Sequence, residues 1–331
     1  MWKLTIHTAF AAFASFAWAA GSAWAASTPG EPYPTKSIRI IDGFSAGGST
    51  DFMARVIGAK IQERFGQTVL VDNRPGAAST IGGEIAAHSA PDGHTMFITP
   101  GTVLTSSPYL YPKLPYDIMK DFEYVTLAGT CNYVMLIHPS VQVKSVAELV
   151  ALTKSKPTAF KYGSGGVGSS VHLTVELLKL RTGMQMVHVP YKGGAPAAMA
   201  TAGGEVEMTV VSVSSAAGLV KTKKLNALAV TGPARIAALP EIPTMAESGI
   251  ADYQVIDYIG LVTPAQTPAS TIKAANAVLR EILQMEDVKA KFLEQGIEAK
   301  GSTPEEYRSI ARKEGERWGR VVKDANIPPN I

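Results

Sequence analysis

The chain is predicted to fold as two α/β lobes, each built on a parallel sheet covered by helices, with a cleft between them. Three observations predict this. The 331 residues exceed one small core and suit two lobes of roughly 100–150 residues each. Two segments repeat the order strand, glycine-rich loop, helix, strand, which is the grammar of a helix-covered parallel sheet. Two long apolar stretches, residues 124–138 and 253–262, are the natural strands to cross between lobes.

The first unit starts with an isoleucine-rich strand at 37–44. The loop Ser45-Ala46-Gly47-Gly48-Ser49-Thr50 follows. Residues 51–65 then place Phe52, Val56, Ile57 and Ile61 on one helical stripe. A strand at 68–72, the turn Asn73-Arg74-Pro75-Gly76, a helix at 79–89 and a strand at 94–99 complete the unit. The second unit has a strand at 159–162 and the loop Gly163-Ser164-Gly165-Gly166-Val167-Gly168-Ser169-Ser170. A helix at 171–180, a strand at 186–190, a helix at 195–202 and a strand at 206–212 come after it. Gly47 lies 27 positions before Arg74, as Gly165 does before Lys192. The tail is helical: 270–294 reads as one or two helices with a break near Met285-Glu286-Asp287. Thr303-Pro304-Glu305-Glu306 is a capping box with proline at the first helical position.

Ahead of the first unit, Lys3 precedes a charge-free stretch, residues 4–24, that ends in Ser22-Ala23-Trp24-Ala25. This predicts a signal peptide over residues 1–25, cleaved after Ala25, and a periplasmic location. An uncleaved anchor is the alternative, but the stretch is rich in alanine and interrupted by Thr5, His7, Thr8 and Ser15.

The net charge of +3 gives no long-range pull on nucleic acid or anionic lipid, so neither is expected as a partner. The single cysteine, Cys131, excludes an intramolecular disulfide and a cysteine-based zinc site. The six histidines show no metal-binding spacing, so no metal and no cofactor is expected.

Each glycine-rich loop runs from a strand into a helix. There the unpaired backbone N–H groups and the positive end of the helix dipole make an anion site. Ser49, Thr50, Ser169 and Ser170 add hydroxyl donors, and two such loops facing each other would clamp a carboxylate. His172 follows the second loop and is a candidate donor into the cleft, or else packs or caps locally. Asp51 is expected to bond first-turn N–H groups of its helix. Two sharper motifs fail on context. Gly163–Gly168 fits a dinucleotide fingerprint, but no acid stands about 20 positions on to bond a ribose. Gly43-Phe44-Ser45-Ala46-Gly47 fits a hydrolase elbow with Ser45 as nucleophile. It sits on the first strand, with no upstream strand to supply the second oxyanion-hole N–H. An exported serine hydrolase using Ser45 stays as the alternative.

Further segments make the sequence similar to a known family. They include Ala46-Gly47-Gly48-Ser49-Thr50-Asp51, Val71-Asp72-Asn73-Arg74-Pro75-Gly76-Ala77 and Ala90-Pro91-Asp92-Gly93-His94-Thr95. Leu110-Tyr111-Pro112-Lys113-Leu114-Pro115-Tyr116-Asp117, the loop from Tyr162 to Leu173, His188-Val189-Pro190-Tyr191-Lys192-Gly193 and Ile242-Pro243-Thr244-Met245-Ala246-Glu247-Ser248-Gly249 follow in order. The chain resembles the Bug/TctC family, the extracytoplasmic solute receptors of tripartite tricarboxylate transporters. The resemblance implies a type II periplasmic-binding-protein fold with two lobes joined by two crossing strands. Lobe I is then 33–131 with 258–331, and lobe II is 132–257. It implies a non-enzymatic, monomeric receptor that captures a small carboxylate, a di- or tricarboxylate or an aromatic acid, and delivers it to the membrane subunits of a transporter. A receptor feeding a signalling partner is the other option.

By the motif match, Phe44, Gly47, Gly48, Ser49, Thr50 and Thr102 belong to the first-lobe wall. Ser164, Gly165, Gly168, Ser169, Ser170, His172, Gly193 and Ser212 belong to the second. Ser45 stands where the family often has proline, which alters the entrance beside Phe44. Val211-Ser212-Val213-Ser214-Ser215 replaces the family's usual Asp-Asn-x-Pro-Ser. The missing acid favours a ligand without an amino group.

Overall fold

The computed structural model describes residues 33–329, and the predicted signal peptide lies outside the described residues. The first unit forms β1 (Ile38–Asp42), α1 (Ser49–Phe65), β2 (Val69–Asn73), α2 (Thr80–Ala87) and β3 (Thr95–Pro100). A helix that the sequence reading did not identify, α3 (Gly101–Leu110), follows directly. Its serines, threonines and Pro108 carry no helical stripe, and it is held by α10 rather than by propensity.

The first long apolar stretch is two strands. β4 (Phe122–Cys131) and β5 (Tyr133–Ile137) are separated at Asn132 and belong to different sheets. After α4 (Val146–Ser155), the second unit forms β6 (Lys161–Ser164), α5 (Ser170–Thr182), β7 (Val187–Pro190), α6 (Gly194–Ala202) and β8 (Met208–Ser212). Then come α7 (Val213–Lys221) and β9 (Asn226–Val230). The second apolar stretch becomes a strand only from residue 257, as β10 (Asp257–Pro264). The tail forms α8 (Ala269–Gln284), α9 (Glu286–Glu294), β11 (Ile297–Ala299) and α10 (Pro304–Asp324). Met285 breaks the helix with extended backbone, as expected. The Thr303 capping box forms both of its hydrogen bonds.

One sheet has the order β11-β4-β10-β3-β1-β2 and the other β7-β6-β8-β5-β9. Neither is purely parallel. Within the units, β1 pairs in parallel with β2 and β3, and β6 with β7 and β8. The strands at the crossing points run against them: β10 is antiparallel to β3 and β4, and β5 to β8 and β9. A chain that leaves one sheet and returns must reverse direction, which the repeat of β–loop–α units does not reveal.

A large apolar cluster runs through both sheets, with Ile40, Met53 and Ile259 on one side and Met135, Tyr162 and Leu173 on the other. Tyr307 and Trp318 of α10 are fully buried. The two halves also bond across the cleft. The Ser45 backbone N–H and hydroxyl both donate to the Lys192 carbonyl at 3.0 Å. The Ser215 hydroxyl donates to the Gly47 carbonyl at 3.1 Å, the Ser106 hydroxyl to the Gly168 carbonyl at 3.1 Å and the Tyr111 hydroxyl to the Val167 carbonyl at 2.8 Å. The cleft is therefore closed.

Candidate functional site

The cavity enclosed by this closure has a volume of about 50 Å³, a few water molecules' worth. Its sheet-one wall is Phe44, Pro100 and the first turn of α1, Gly48, Ser49 and Thr50. Its sheet-two wall is Tyr133, Gly165, the start of α5 at Ser169–Val171, Gly194, and Ser212 and Ser215. No lysine or arginine lines it.

What lines it instead is the beginnings of helices. Gly48 is the N-cap of α1, Pro100 of α3, Ser169 of α5 and Ser212 of α7, and Gly194 is the first residue of α6. The N-cap residues of α1, α3, α6 and α7 make no side-chain capping bond. Five positive dipole ends therefore meet at one small cavity, the arrangement that binds an anion without a cationic side chain. At α5 the Ser169 side chain accepts from the His172 N–H at 3.2 Å. The next hydroxyl, Ser170 Oγ, is buried and in bonding geometry with no protein atom among the described residues.

Of the residues expected from sequence, Phe44, Gly48, Ser49, Thr50, Gly165, Ser169, Ser170 and Ser212 line the cavity. The others stand one step back. Gly47 is bonded through its carbonyl across the cleft, and Gly193 abuts Ser45 there. Thr102 donates to Asp257 at 3.3 Å. Gly168 packs on Leu110. Ser164 and His172 do not reach the cavity. Ser164 Oγ lies 2.6 Å from His188 Nε2. The rings of His172 and His188 stack with centroids 4.0 Å apart, and Tyr162 stacks on His188.

His172 Nδ1 accepts the Gly168 N–H at 3.1 Å, so that nitrogen is unprotonated. Burial drives both histidines down to about 3. His172 is thus a neutral support of the second loop and not a donor into the cleft. Its apolar neighbours in the sequence, Val171 and Leu173, give no cue to this placement.

Sequence reading missed Pro100, Tyr133, Val171, Gly194 and Ser215 as lining residues. Ser215 had a usable signal, since it follows a strand end in a run of serines. Tyr133 had none, because it sits inside an unbroken apolar stretch.

Two buried carboxyls stand behind the walls. Asp42 accepts from the Thr50 hydroxyl at 3.0 Å and the Phe44 N–H at 3.1 Å, fixing the first loop. Asp51 takes the Gly47 N–H at 3.1 Å and pairs with Arg55. Burial pushes Asp42 up to about 8. The folded state therefore holds a proton that the unfolded chain releases near 3.9. The resulting stability is complete below that value and is lost as pH rises through about 8. One proton is worth about 1.4 kcal/mol per pH unit. Buried neutral histidines oppose folding only below about 6.5. Thermal melts should lose about 2 kcal/mol between pH 6.5 and 8, and Asp42→Asn should flatten that slope. A wild-type slope of zero would remove Asp42 as a proton holder.

The chain is similar over residues 53–327 to the sequences of a family described as the tripartite tricarboxylate transporter family receptor. It is 33% identical over 301 residues to the protein BugT of Bordetella pertussis, covering 91% of this chain and 92% of that one. Among solved structures, Rpa4515 of R. palustris with adipate is 31% identical, with a TM-score of 0.86 over 90% of this chain and 100% of that one. MatC from Rhodopseudomonas palustris with bound malate is 27% identical, with a TM-score of 0.82 over 88% of this chain and 100% of that one. The two-sheet architecture is the periplasmic-binding-protein fold.

Proposed function

The chain belongs to the tripartite tricarboxylate transporter receptor family, and on that premise we propose that it is a periplasmic, monomeric receptor that captures a small carboxylate. The observation that carries this reading is the meeting of five helix N-termini at a cavity without a basic side chain. A carboxylate docks against these N–H groups and the hydroxyls of Ser49, Ser169, Ser170 and Ser212, while the Thr50 hydroxyl is committed to Asp42. No covalent step is involved. The Ser45 hydroxyl, the candidate nucleophile of a hydrolase reading, donates to the Lys192 carbonyl.

The cavity is small in this arrangement, so an adipate- or malate-sized acid enters while the lobes are apart. It holds them together only by binding the closed state better. The bonds from Ser45 to Lys192 and from Ser215 to Gly47 are the contacts that close. Membrane subunits of a tripartite transporter then read the closed form. Dicarboxylates such as adipate and malate, which similar proteins hold, are the leading ligand class, with tricarboxylates and aromatic acids beside them. The lobes divide as 33–131 with 258–331 and 132–257.

A thermal-shift screen against mono-, di- and tricarboxylates, amino acids and aromatic acids tests the reading. Ligand at about 100 times its dissociation constant adds ~2.7 kcal/mol, a rise of a few degrees or less at this size. A shift confined to amino acids, or none with any acid, overturns it. Hydrolytic turnover lost in Ser45→Ala would move the assignment to an enzyme.

Ser170→Ala gives a sharper readout. The hydroxyl makes no well-formed hydrogen bond among the described residues and only borders Asp257 and Tyr133, so its removal costs the apo protein about 1 kcal/mol or less. Its bond to a carboxylate is worth about 1.5–3 kcal/mol, so affinity falls by roughly tenfold to a hundredfold. Unchanged affinity by titration calorimetry would remove Ser170 from the site.

A further inference from the structure

The cavity built for an anion has an acid directly behind it. Asp257 opens β10 at the point where the chain returns to the first sheet, and it is 1% exposed. Its carboxylate gathers groups from both lobes. The Thr102 hydroxyl of α3 donates to Oδ1 at 3.3 Å, and the Tyr258 N–H donates to the same oxygen at 3.1 Å. The Tyr133 hydroxyl of β5 donates to Oδ2. Tyr133 and Ser170 both line the cavity. Ser170 lies close enough to Asp257 to temper its charge.

Around it, Cys131 of β4 pairs with Asp257 in register. Tyr307 and Glu314 face it from α10. Glu314 is itself within 3.6 Å of Arg317. No cation is among the groups that bias Asp257. An ionised Asp257 therefore has hydroxyls and the Tyr258 N–H to hold its charge, and an incoming carboxylate would sit beyond the Tyr133 hydroxyl with the same sign.

We propose that Asp257 makes carboxylate capture proton-linked: the bound anion and an ionised Asp257 disfavour each other, so binding draws one proton from solvent onto Asp257. This rests on the carboxylate reading above. Burial already pushes Asp257 up to about 6, and a neighbouring anion raises it further. Affinity is then lowest when Asp257 is ionised both free and bound. It rises as pH falls between the bound and free values and levels off below about 6. Protonated Asp257 keeps the Thr102 and Tyr133 bonds by donating one hydrogen and accepting another. Asp42 is a second buried carboxyl near the site, but its value of about 8 puts its own proton exchange above this window.

The test is titration calorimetry from pH 5 to 7.5 with adipate, malate, citrate and benzoate as probes. Buffers of different ionisation enthalpy count the protons taken up. The wild type should bind about tenfold more tightly at pH 5.5 than at pH 7.5, with uptake approaching one proton per site between them. Asp257→Asn should bind with the same affinity across the range and take up none. The probe's own titration is common to both proteins, so only their difference is read.

If Asp257→Asn does not fold, Tyr133→Phe serves. It removes a donor that holds Asp257 down and should move the uptake window to higher pH. Identical pH profiles for the wild type and a folded variant overturn the proton linkage alone. No binding of any probe by the wild type at any pH overturns the carboxylate reading, and the linkage with it.

Discussion

Replacing Gly48 with valine abolishes carboxylate binding and leaves the protein folded. Gly48 caps α1 with φ −87° and ψ 177°, an extended conformation that valine adopts freely. A Cβ there meets nothing closer than the Ser45 carbonyl at 4.0 Å, so the side chain enters the cavity, which Gly48 lines. It blocks approach to the first N–H groups of α1. Two charge-assisted bonds lost are worth about 3 kcal/mol or more, so affinity falls by at least roughly a hundredfold. The poorer cap costs about 1 kcal/mol, and a stiffer unfolded chain returns about 0.4–1. The melting temperature without ligand should therefore hold. Titration calorimetry and a melt on the same sample check both halves. Binding within threefold of wild type would take the α1 N-terminus out of the site.

Gly168→Val should fail for a different reason. Gly168 has φ +85°, and a Cβ there would lie 2.7 Å from Leu110 Cδ1. Left-handed backbone costs valine about 1–2 kcal/mol, and crowding Leu110 adds about 1–3. The sum of about 2–5 kcal/mol lowers the melting temperature by roughly 4–10 °C. The Gly168 N–H bond to His172 and the carbonyl bond from Ser106 are strained with it. Loss of binding in this variant reports a distorted loop, not a blocked ligand. A wild-type melt for Gly168→Val would show that the loop does not need its left-handed turn. The two glycines look alike in the sequence, both in loops ahead of helices, and only their dihedrals separate their roles.

The same contrast explains what the sequence could reveal. The glycine-rich loops were legible because strand, glycine, hydroxyl and helix follow one another within ten residues. The helix starts at Gly48 and Ser169 sit where that pattern puts them. The starts of α3, α6 and α7 carry no such pattern: Thr102, Gly193 and Ser212 entered the expected site by the family resemblance and not by spacing. They come from separate stretches of chain, and α7 begins directly after its strand in a valine–serine run with no glycine to mark a loop. The family resemblance sets the lobe boundary between 131 and 132, although the pattern itself shows no break at Asn132, because both β4 and β5 are buried and apolar. Asp257 lies inside the apolar stretch 253–262, and nothing in the sequence marks it as part of the site. Its burial and its three donors come from partners 155, 124 and 1 residues away in the chain. His172 was misplaced by the reverse error. Its position one turn into α5 suggested the cleft, but the helix turns it inward, onto His188.

The most direct test of the account compares an acid with its uncharged twin. The acid that gives the largest thermal shift is titrated alongside its amide, which keeps shape and hydrogen-bonding groups but carries no charge. Capture by helix N-termini predicts that the acid binds and the amide binds at least about a hundredfold more weakly. Equal affinity for the two would contradict the claim that this cavity is an anion site.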